Sequence, residues 1–435
     1  MHATFRQSKT HRPLVALTAA LLTVLAACGG GEGDTSQASV SSAMPPGSRT
    51  QALAAGLAEV QKFGSPNGMA GDLFGLSIAS LGSLVVVGAP QESPLSGITE
   101  NTGEAYVFDA SGSLVRELLP ASANERSRDD GYGRSVAASG NIIAVGSPGA
   151  DDLGNFAGEV FLFNAQTGAQ LGKLVPTGTR RNPADGSGFG SAVGVSADRI
   201  VVGAPGTFAN ARVSTGAIYL YEAATRRLIA RVIPQGAKSI DNIGSSVAVA
   251  GNTVVAGAPF DNTRALDAGA AYVFDAVNGA LRFKLTAADG AASDIFGFAV
   301  STNDALVAVG APQDDDRGAA SGAVYLFSAA TGAFVRKIVP ADGGVNDQFG
   351  VAVSLAGTQL AVGAWGDNDG AGSVYVFDVT TGTQLGKFEA SDAAPLDILG
   401  RSVALSSAGV ITGAPRDADQ GPDSGSVYRF GLPTP

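Results

Sequence analysis

Histidine and cysteine are almost missing from this chain. Its 435 residues include one cysteine, Cys28, and two histidines, His2 and His11. The sequence after Cys28 therefore excludes an internal disulfide, a Cys/His zinc site and any Ser-His or Cys-His nucleophile system. Charge is scarce as well, at 15% of residues, and it is lopsided: 28 Lys and Arg stand against 39 Asp and Glu, a net charge of −11. Residues 1–27 carry Arg6, Lys9 and Arg12 and no acid, so the remainder holds 25 basic against 39 acidic residues. An acidic body with no Lys/Arg cluster argues against nucleic acid and against anionic membrane surfaces as partners. Tryptophan occurs once, at Trp365.

What the chain has instead is glycine, 60 residues of it, set between short runs of Val, Ile, Leu, Tyr and Phe. That mixture reads as many short strands joined by turns. The stretch from Asp294 to Phe327 shows the unit: an apolar run opening on Phe-Gly, a tight turn, a run ending Gly-Ala-Pro, an acidic loop, and a run with two aromatics. The Phe-Gly position recurs at Phe74-Gly75, Tyr132-Gly133, Phe189-Gly190, Ile243-Gly244, Phe296-Gly297, Phe349-Gly350 and Leu399-Gly400. The Gly-Ala-Pro glycine recurs at Gly88, Gly146, Gly203, Gly257, Gly310, Gly363 and Gly413, with Trp365 replacing the proline in the sixth unit. The aromatic pair runs from Tyr106 and Phe108 to Tyr428 and Phe430.

Each unit reads as four strands, A to D. The aromatics at i and i+2 of strand C share a face because side chains alternate on a strand. Strand D follows a Thr-Gly or Asn-Gly turn such as Thr331-Gly332 or Asn278-Gly279, a hairpin signal. A repeat of this length with four strands predicts an all-β fold, a seven-bladed β-propeller of four-stranded antiparallel blades. The units begin near residues 72, 130, 187, 241, 294, 347 and 397, within a body spanning 53–435. The seventh unit stops at Phe430 without a strand D. Residues 57–63 (LAEVQKF) place Lys62-Phe63 ten residues before Asp72, as Lys284-Leu285 stands before Asp294. That register predicts an N-terminal strand completing the last blade; the competing reading is a short helix, since Leu53, Leu57 and Val60 also suit helical spacing.

These motifs resemble the FG-GAP family, the repeat of integrin α-chain propellers and of many bacterial surface proteins, over roughly residues 57–430. In integrin propellers calcium sits in an acidic insertion between strands A and B. The A–B turns here are short, as at Ser139-Gly140-Asn141, Ala197-Asp198-Arg199 and Gly251-Asn252-Thr253, so the resemblance carries no such site to this chain.

The leader follows its own pattern. Residues 1–13 are basic and polar, and 14–27 (LVALTAALLTVLAA) are apolar or small. The run is too short to span a bilayer and suits the core of a signal peptide. Leu25-Ala26-Ala27-Cys28-Gly29 resembles the bacterial lipoprotein signal, which implies cleavage before Cys28 and a lipid on its sulfur. Ordinary secretion with cleavage near Ala27 is the alternative. Gly29 in place of Asp favours the outer membrane by the same resemblance. Residues 28–52 are nearly free of large apolar side chains and read as a flexible tether, with a mean reach on the order of 25 Å.

In a four-stranded meander the D–A and B–C loops share one face, and here those loops carry the acids. One row stands two residues before each Phe position: Asp72, Asp130, Asp241, Asp294, Asp347 and Asp397, with Ser187 in the third unit. Its expected role is to accept backbone N–H bonds in the turn into strand A. A second row stands four residues after the Gly-Ala-Pro glycine: Asp261, Asp314, Asp367 and Asp417, with Glu92 in the first unit. Asp314 with Asp316, Asp367 with Asp369, and Asp417 with Asp419 are candidate calcium ligands, because hard cations need clustered oxygens; a solvated acidic loop is the competing reading. Trp365, Asp261 and Asp151 are candidate contacts for a partner. The expected function is a lipid-anchored surface or periplasmic propeller, with a monomeric body and no catalytic activity, that binds a protein or glycan through its acidic loop face for adhesion or assembly. The alternatives are a hydrolase acting through paired carboxylates, such as a glycosidase, and a fixed structural part of the cell envelope.

Overall fold

The computed structural model describes residues 59–92, 102–122, 127–176, 186–210, 213–406 and 409–432. The leader, Cys28 and the tether lie outside the described residues, as do residues 57 and 58 of the expected closing strand. Among the described residues there is no helix; the chain forms seven four-stranded antiparallel sheets and one small hairpin.

The first strand, β1 (Glu59–Gly64), belongs to the last blade. Blade one is β2 (Ser77–Leu81), β3 (Leu84–Ala89), β4 (Glu104–Phe108) and β5 (Leu114–Glu117). Blade two is β6 (Ser135–Ser139), β7 (Ile142–Ser147), β8 (Glu159–Asn164) and β9 (Gln170–Leu174). Blade three is β10 (Ala192–Val195), β11 (Arg199–Ala204), β14 (Ala217–Glu222) and β15 (Leu228–Val232), with the hairpin of β12 (Phe208–Asn210) and β13 (Val213–Ser214) in its B–C loop. Blade four is β16 (Val247–Ala250), β17 (Thr253–Ala258), β18 (Ala270–Asp275) and β19 (Leu281–Leu285). Blade five is β20 (Ala299–Thr302), β21 (Leu306–Ala311), β22 (Ala323–Ser328) and β23 (Phe334–Ile338). Blade six is β24 (Phe349–Ala356), β25 (Gln359–Ala364), β26 (Ser373–Asp378) and β27 (Gln384–Phe388). Blade seven is β28 (Ser402–Ser406), β29 (Gly409–Ala414), β30 (Ser426–Phe430) and β1.

The N-terminal segment is a strand, and the helical alternative is set aside. Lys62 pairs with Tyr428 and Phe63 with Val427, as Lys284 pairs with Tyr272 and Lys337 with Tyr325 in blades four and five. The A strands form the inner ring: β2 touches both β6 and β28, which closes the circle.

The core lies between blades. Strands B and C are buried on both faces, so they read as unbroken apolar runs. Phe296, Val307, Val309, Tyr325 and Phe327 of blade five pack on Val255, Ala271 and Val273 of blade four. Phe296 meets Tyr325 and Phe327 edge-on at centroid distances of 5.4 and 6.0 Å, a favoured aromatic geometry.

Glycine makes the blade-to-blade seam. A Cβ on Gly310 would stand 2.0 Å from the carbonyl oxygen of Gly350 in the next blade, and one on Gly363 would stand 1.9 Å from that of Gly400. A third glycine row, not singled out from the sequence, precedes strand C. Gly322 has φ +85° and its Cβ would stand 2.1 Å from the carbonyl of Phe349, whose own N–H donates to Ser321 at 3.0 Å. The strand-A serines add a bond in the same seam: Ser77 donates to Gly133 at 2.8 Å, and Ser402 donates to Gly75 at 2.7 Å across the point where the ring closes.

Gly310→Ala should therefore cost about 3 kcal/mol by overpacking, read as a fall in the urea midpoint. Gly357→Ala, with φ +56° and nothing within 4 Å of the new methyl, should cost only about 1 kcal/mol of backbone strain. Equal losses would show that the seam is not tightly fitted.

Candidate functional site

The D–A and B–C loops share one face. Each D–A loop lies on the B–C loop of the preceding blade, as where Ile240 N–H donates to Ser214, Ser293 to Leu266 and Asn346 to Ala319. The first acid row does what its position suggested. Asp241, Asp294, Asp347 and Asp397 accept the N–H three residues earlier, at 2.6, 2.7, 2.6 and 2.7 Å. Asp72 and Asp130 make the same bond with Met69 and Ser127. Burial outweighs that bond and pushes Asp72 and Asp130 up to about 6.

The second row is neither a solvated loop nor an open set of metal ligands. Asp261, Asp314, Asp367 and Asp417 are buried, and each accepts the hydroxyl of the strand-C tyrosine of its own blade. Tyr272 reaches Asp261 at 3.0 Å, Tyr325 reaches Asp314 at 2.6 Å, Tyr375 reaches Asp367 at 2.8 Å and Tyr428 reaches Asp417 at 2.6 Å. A strand-D lysine completes the set, since it pairs across the sheet with that tyrosine. Lys284 lies 2.6 Å from Asp261, Lys337 2.8 Å from Asp314, Lys387 2.7 Å from Asp367 and Lys62 2.8 Å from Asp417. Burial alone would raise these carboxyls; the lysine and its partner donors outweigh it and hold Asp261, Asp367 and Asp417 below the usual range. The same pairs raise Lys62, Lys337 and Lys387 against the opposing effect of burial.

Two clusters of three carboxylates result. Asp314 and Asp316 meet Asp289, while Asp417 and Asp419 meet Asp392. The sequence reading paired the first two of each and missed the third. The signal was present: Asp289, Asp342 and Asp392 each stand five residues after a strand-D lysine, namely Lys284, Lys337 and Lys387. Calcium takes about six to eight oxygens. Here Lys337 Nζ lies 2.9, 2.8 and 2.6 Å from Asp289, Asp314 and Asp316, and Lys62 Nζ lies 2.5, 2.8 and 2.6 Å from Asp392, Asp417 and Asp419. The ammonium holds the oxygens a metal ion would need, so the residues present do not fit calcium there while the lysine stays. Asp369 joins neither cluster; it is exposed, and Lys387 turns to Asp342, Asp367 and Glu389.

The expected partner contacts divide. Asp261 is buried behind Tyr272 and Lys284 and offers a partner nothing. Asp151 is exposed, with one oxygen taking the Phe156 N–H at 2.6 Å. Trp365 is half-buried on the loop face, with the Arg401 guanidinium 5.2 Å above its ring. The sequence reading missed a set of apolar tips on this face: Phe156, Ile240, Leu266, Val345 and Leu396 are each more than half exposed.

Blades one to three depart from the pattern. Blade one has the buried Glu92, which takes the Tyr106 hydroxyl at 2.7 Å and the Ser65 hydroxyl at 2.7 Å, but Glu117 stands opposite Tyr106 where a lysine would be. Burial pushes the Glu92 carboxyl up to about 7, with Asp72 and Glu117 adding repulsion. Blade two lacks the acid, having Ala150, and the hydroxyl, having Phe161; its Lys173 pairs instead with Glu159 at 2.9 Å and Asp152 at 3.0 Å. Blade three has Thr207 and Arg231, with Arg231 Nε 3.1 Å from the Tyr219 hydroxyl.

Seven sheets, glycine seams and a buried Asp–Tyr–Lys set in the regular blades define a β-propeller built from one repeated sequence unit. The FG-GAP repeat profile matches residues 57–108, 121–163, 227–274, 281–327, 333–377 and 383–430, and the chain belongs to the FG-GAP repeat family. No curated protein matches it. The matched segments omit strands A to C of blade three, where Ser187, Thr207 and the β12–β13 hairpin break the pattern although the four-stranded sheet is intact.

Two outcomes follow. Lys337→Met leaves three carboxylates without their counter-charge and should cost about 3 kcal/mol. Millimolar calcium should restore part of that loss in the variant and leave the wild-type melting temperature unchanged; a calcium-dependent rise in the wild type would show the ammonium is displaced. Glu92 tests the pH response. Its folded carboxyl holds a proton that the unfolded chain, ordinary at about 4.5, gives up. Its contribution is complete below pH ~4.5 and is lost as pH rises towards 7. Glu92→Gln should thus gain stability over wild type at pH 8, on the order of 2 kcal/mol, and show little gain at pH 4. A difference independent of pH would rule out this titration.

Proposed function

We propose that this chain is a lipid-anchored protein of the bacterial cell envelope, held at the outer membrane through Cys28, whose propeller binds a macromolecular partner, a protein or glycan, on its B–C and D–A loop face. The observation that carries this is the row of exposed apolar tips on that face. Phe156 and Leu266 lie in B–C loops, and Ile240, Val345 and Leu396 lie in D–A loops. Apolar side chains rimmed by exposed acids such as Asp151, Asp315, Asp369 and Asp419 are the composition of a protein-binding surface. The buried acids are scaffold, and the exposed ones form the rim.

Binding is preferred to catalysis because the paired carboxylates are already engaged. Each cluster encloses an ammonium, which, against the effect of burial, holds Asp289, Asp392 and Asp417 below the usual carboxylate range, the opposite of what a proton donor needs, and denies the clustered carboxylates the freedom of a nucleophile. A rigid ring with variable loops suits adhesion or assembly.

Capture from envelope extracts by the full-length protein tests the reading. A triple change Phe156→Ser, Leu266→Ser, Leu396→Ser should abolish capture while leaving the melting temperature within a few degrees. Leu114→Ser with Phe334→Ser, exposed positions beside the C–D turns, should capture as wild type does. The opposite result would place the contact elsewhere. Cys28→Ser should move the protein from the membrane to the soluble fraction, and unchanged fractionation would remove the anchor.

A further inference from the structure

The residue after each Phe-Gly glycine is set by one turn. Its N–H donates to the carbonyl three residues earlier in every blade: Leu76 to Leu73, Arg134 to Gly131, Ser191 to Gly188, Ser245 to Asn242, Phe298 to Ile295, Val351 to Gln348 and Arg401 to Ile398. The shared turn puts these residues at equivalent points around the ring, at the loop-face end of the innermost strands. Two of them are arginines, in blades two and seven, and those blades flank blade one on either side.

Neither guanidinium has a hydrogen bond or an ion pair among the described residues. In this molecule that is unusual. The strand-D lysines of blades two and four to seven all hold carboxylates, and the chain has acid in excess. Arg134 is exposed to water, yet surrounding protein depresses it; Arg401 is pushed down to about 10 by desolvation and by the charge of Arg134. Both remain charged at neutral pH. Arg134 immediately precedes the A strand of blade two and Arg401 that of blade seven, so both stand at the same end of the inner ring on either side of blade one, and the charge of Arg134 acts on Arg401.

Trp365 supplies an independent observation. It stands where the other blades have Pro90, Pro148, Pro205, Pro259, Pro312 and Pro415, and the Arg401 guanidinium lies 5.2 Å from its ring centroid. Stacking on an indole fixes the guanidinium and leaves its N–H edge free for a planar acceptor.

We propose that the loop-face mouth of the central channel, between Arg134 and Arg401 and against Trp365, is an oxyanion site that receives a carboxylate carried by the macromolecular partner. The link to a partner rests on the partner-binding reading above; the site itself does not. A guanidinium held on an indole and a second, exposed one, both without internal carboxylates, are arranged for an acceptor from outside, and a carboxylate accepts two parallel N–H bonds from a guanidinium fork.

Trp365 is the chain's single tryptophan, so its emission reports on the site directly. Citrate titrated into the full-length protein, at constant ionic strength made up with chloride, should give a saturable change in emission. Arg134→Gln, which leaves the Arg401–Trp365 stack in place, should weaken citrate at least tenfold. It should also melt no lower than wild type, because it removes an unneutralised charge. A wild-type response no larger than that to chloride, or equal citrate affinity in wild type and Arg134→Gln, overturns the site. The double variant Arg134→Gln, Arg401→Gln separates the two claims. If citrate binding needs the arginines but the double variant captures the partner as well as wild type, the oxyanion site stands and its role in partner binding is overturned. If neither protein captures a partner, the partner-binding reading fails and the site stands for small carboxylates.

Discussion

The ring depends on a carbonyl oxygen occupying the place where a Cβ would be. In each seam the oxygen of one blade's Phe-Gly glycine lies against the Gly-Ala-Pro glycine of the blade before it, at 1.9 to 2.2 Å from the position of a missing methyl. No other residue type allows that approach without moving one blade away from its neighbour. Such a displacement cannot be absorbed locally, because the circle must close on β1 and β30. The aromatic packing and the serine bonds across the seam then follow from the distance the glycines set.

Charge is handled inside the same geometry. Strand D brings a lysine opposite the strand-C tyrosine, and the B–C loop turns an aspartate back onto both. Burying these groups singly would be costly, but mutual pairing satisfies them. The ammonium also ties separate segments together, as Lys337 on strand D does for Asp289 in the D–A loop and Asp314 and Asp316 in the B–C loop. In blade seven that lysine is Lys62, so the closing strand contributes an ion-pair network anchored on the buried Asp417 as well as a row of backbone bonds.

The fold was legible because every blade repeats the same local solution. Phe-Gly, Gly-Ala-Pro and the alternating aromatics fix turns and faces, and the spacing from Lys62 to Asp72 sets the register of β1. The site was read less well for an identifiable reason: the acids were counted by loop and the lysines by strand. Lys62 and Lys284 served only as register marks, although the sheet folds each of them back onto the loop acids. Acids that looked available for calcium or a partner, Asp261 above all, are thereby consumed. The exposed apolar tips are not evident from the sequence because Ile240, Leu266 and Leu396 stand far apart along the chain and share a face only once the ring is built.

Repetition also says where function can reside. A residue present in every blade at the same point must serve the blade, since the blades do the same mechanical work. Only departures are free to serve something else. Blades four to seven keep the Asp–Tyr–Lys set intact, and blades one to three do not. Replacing lysine by Glu117 leaves Glu92 without a cation, and this loss weakens blade one where it lies between the arginine-bearing blades two and seven. Such a departure is tolerated while the ring as a whole stays above its stability threshold. Arg134, Arg401 and Trp365 are departures too: unneutralised charge and a half-buried indole, placed at symmetric positions that elsewhere hold small or apolar side chains or a proline.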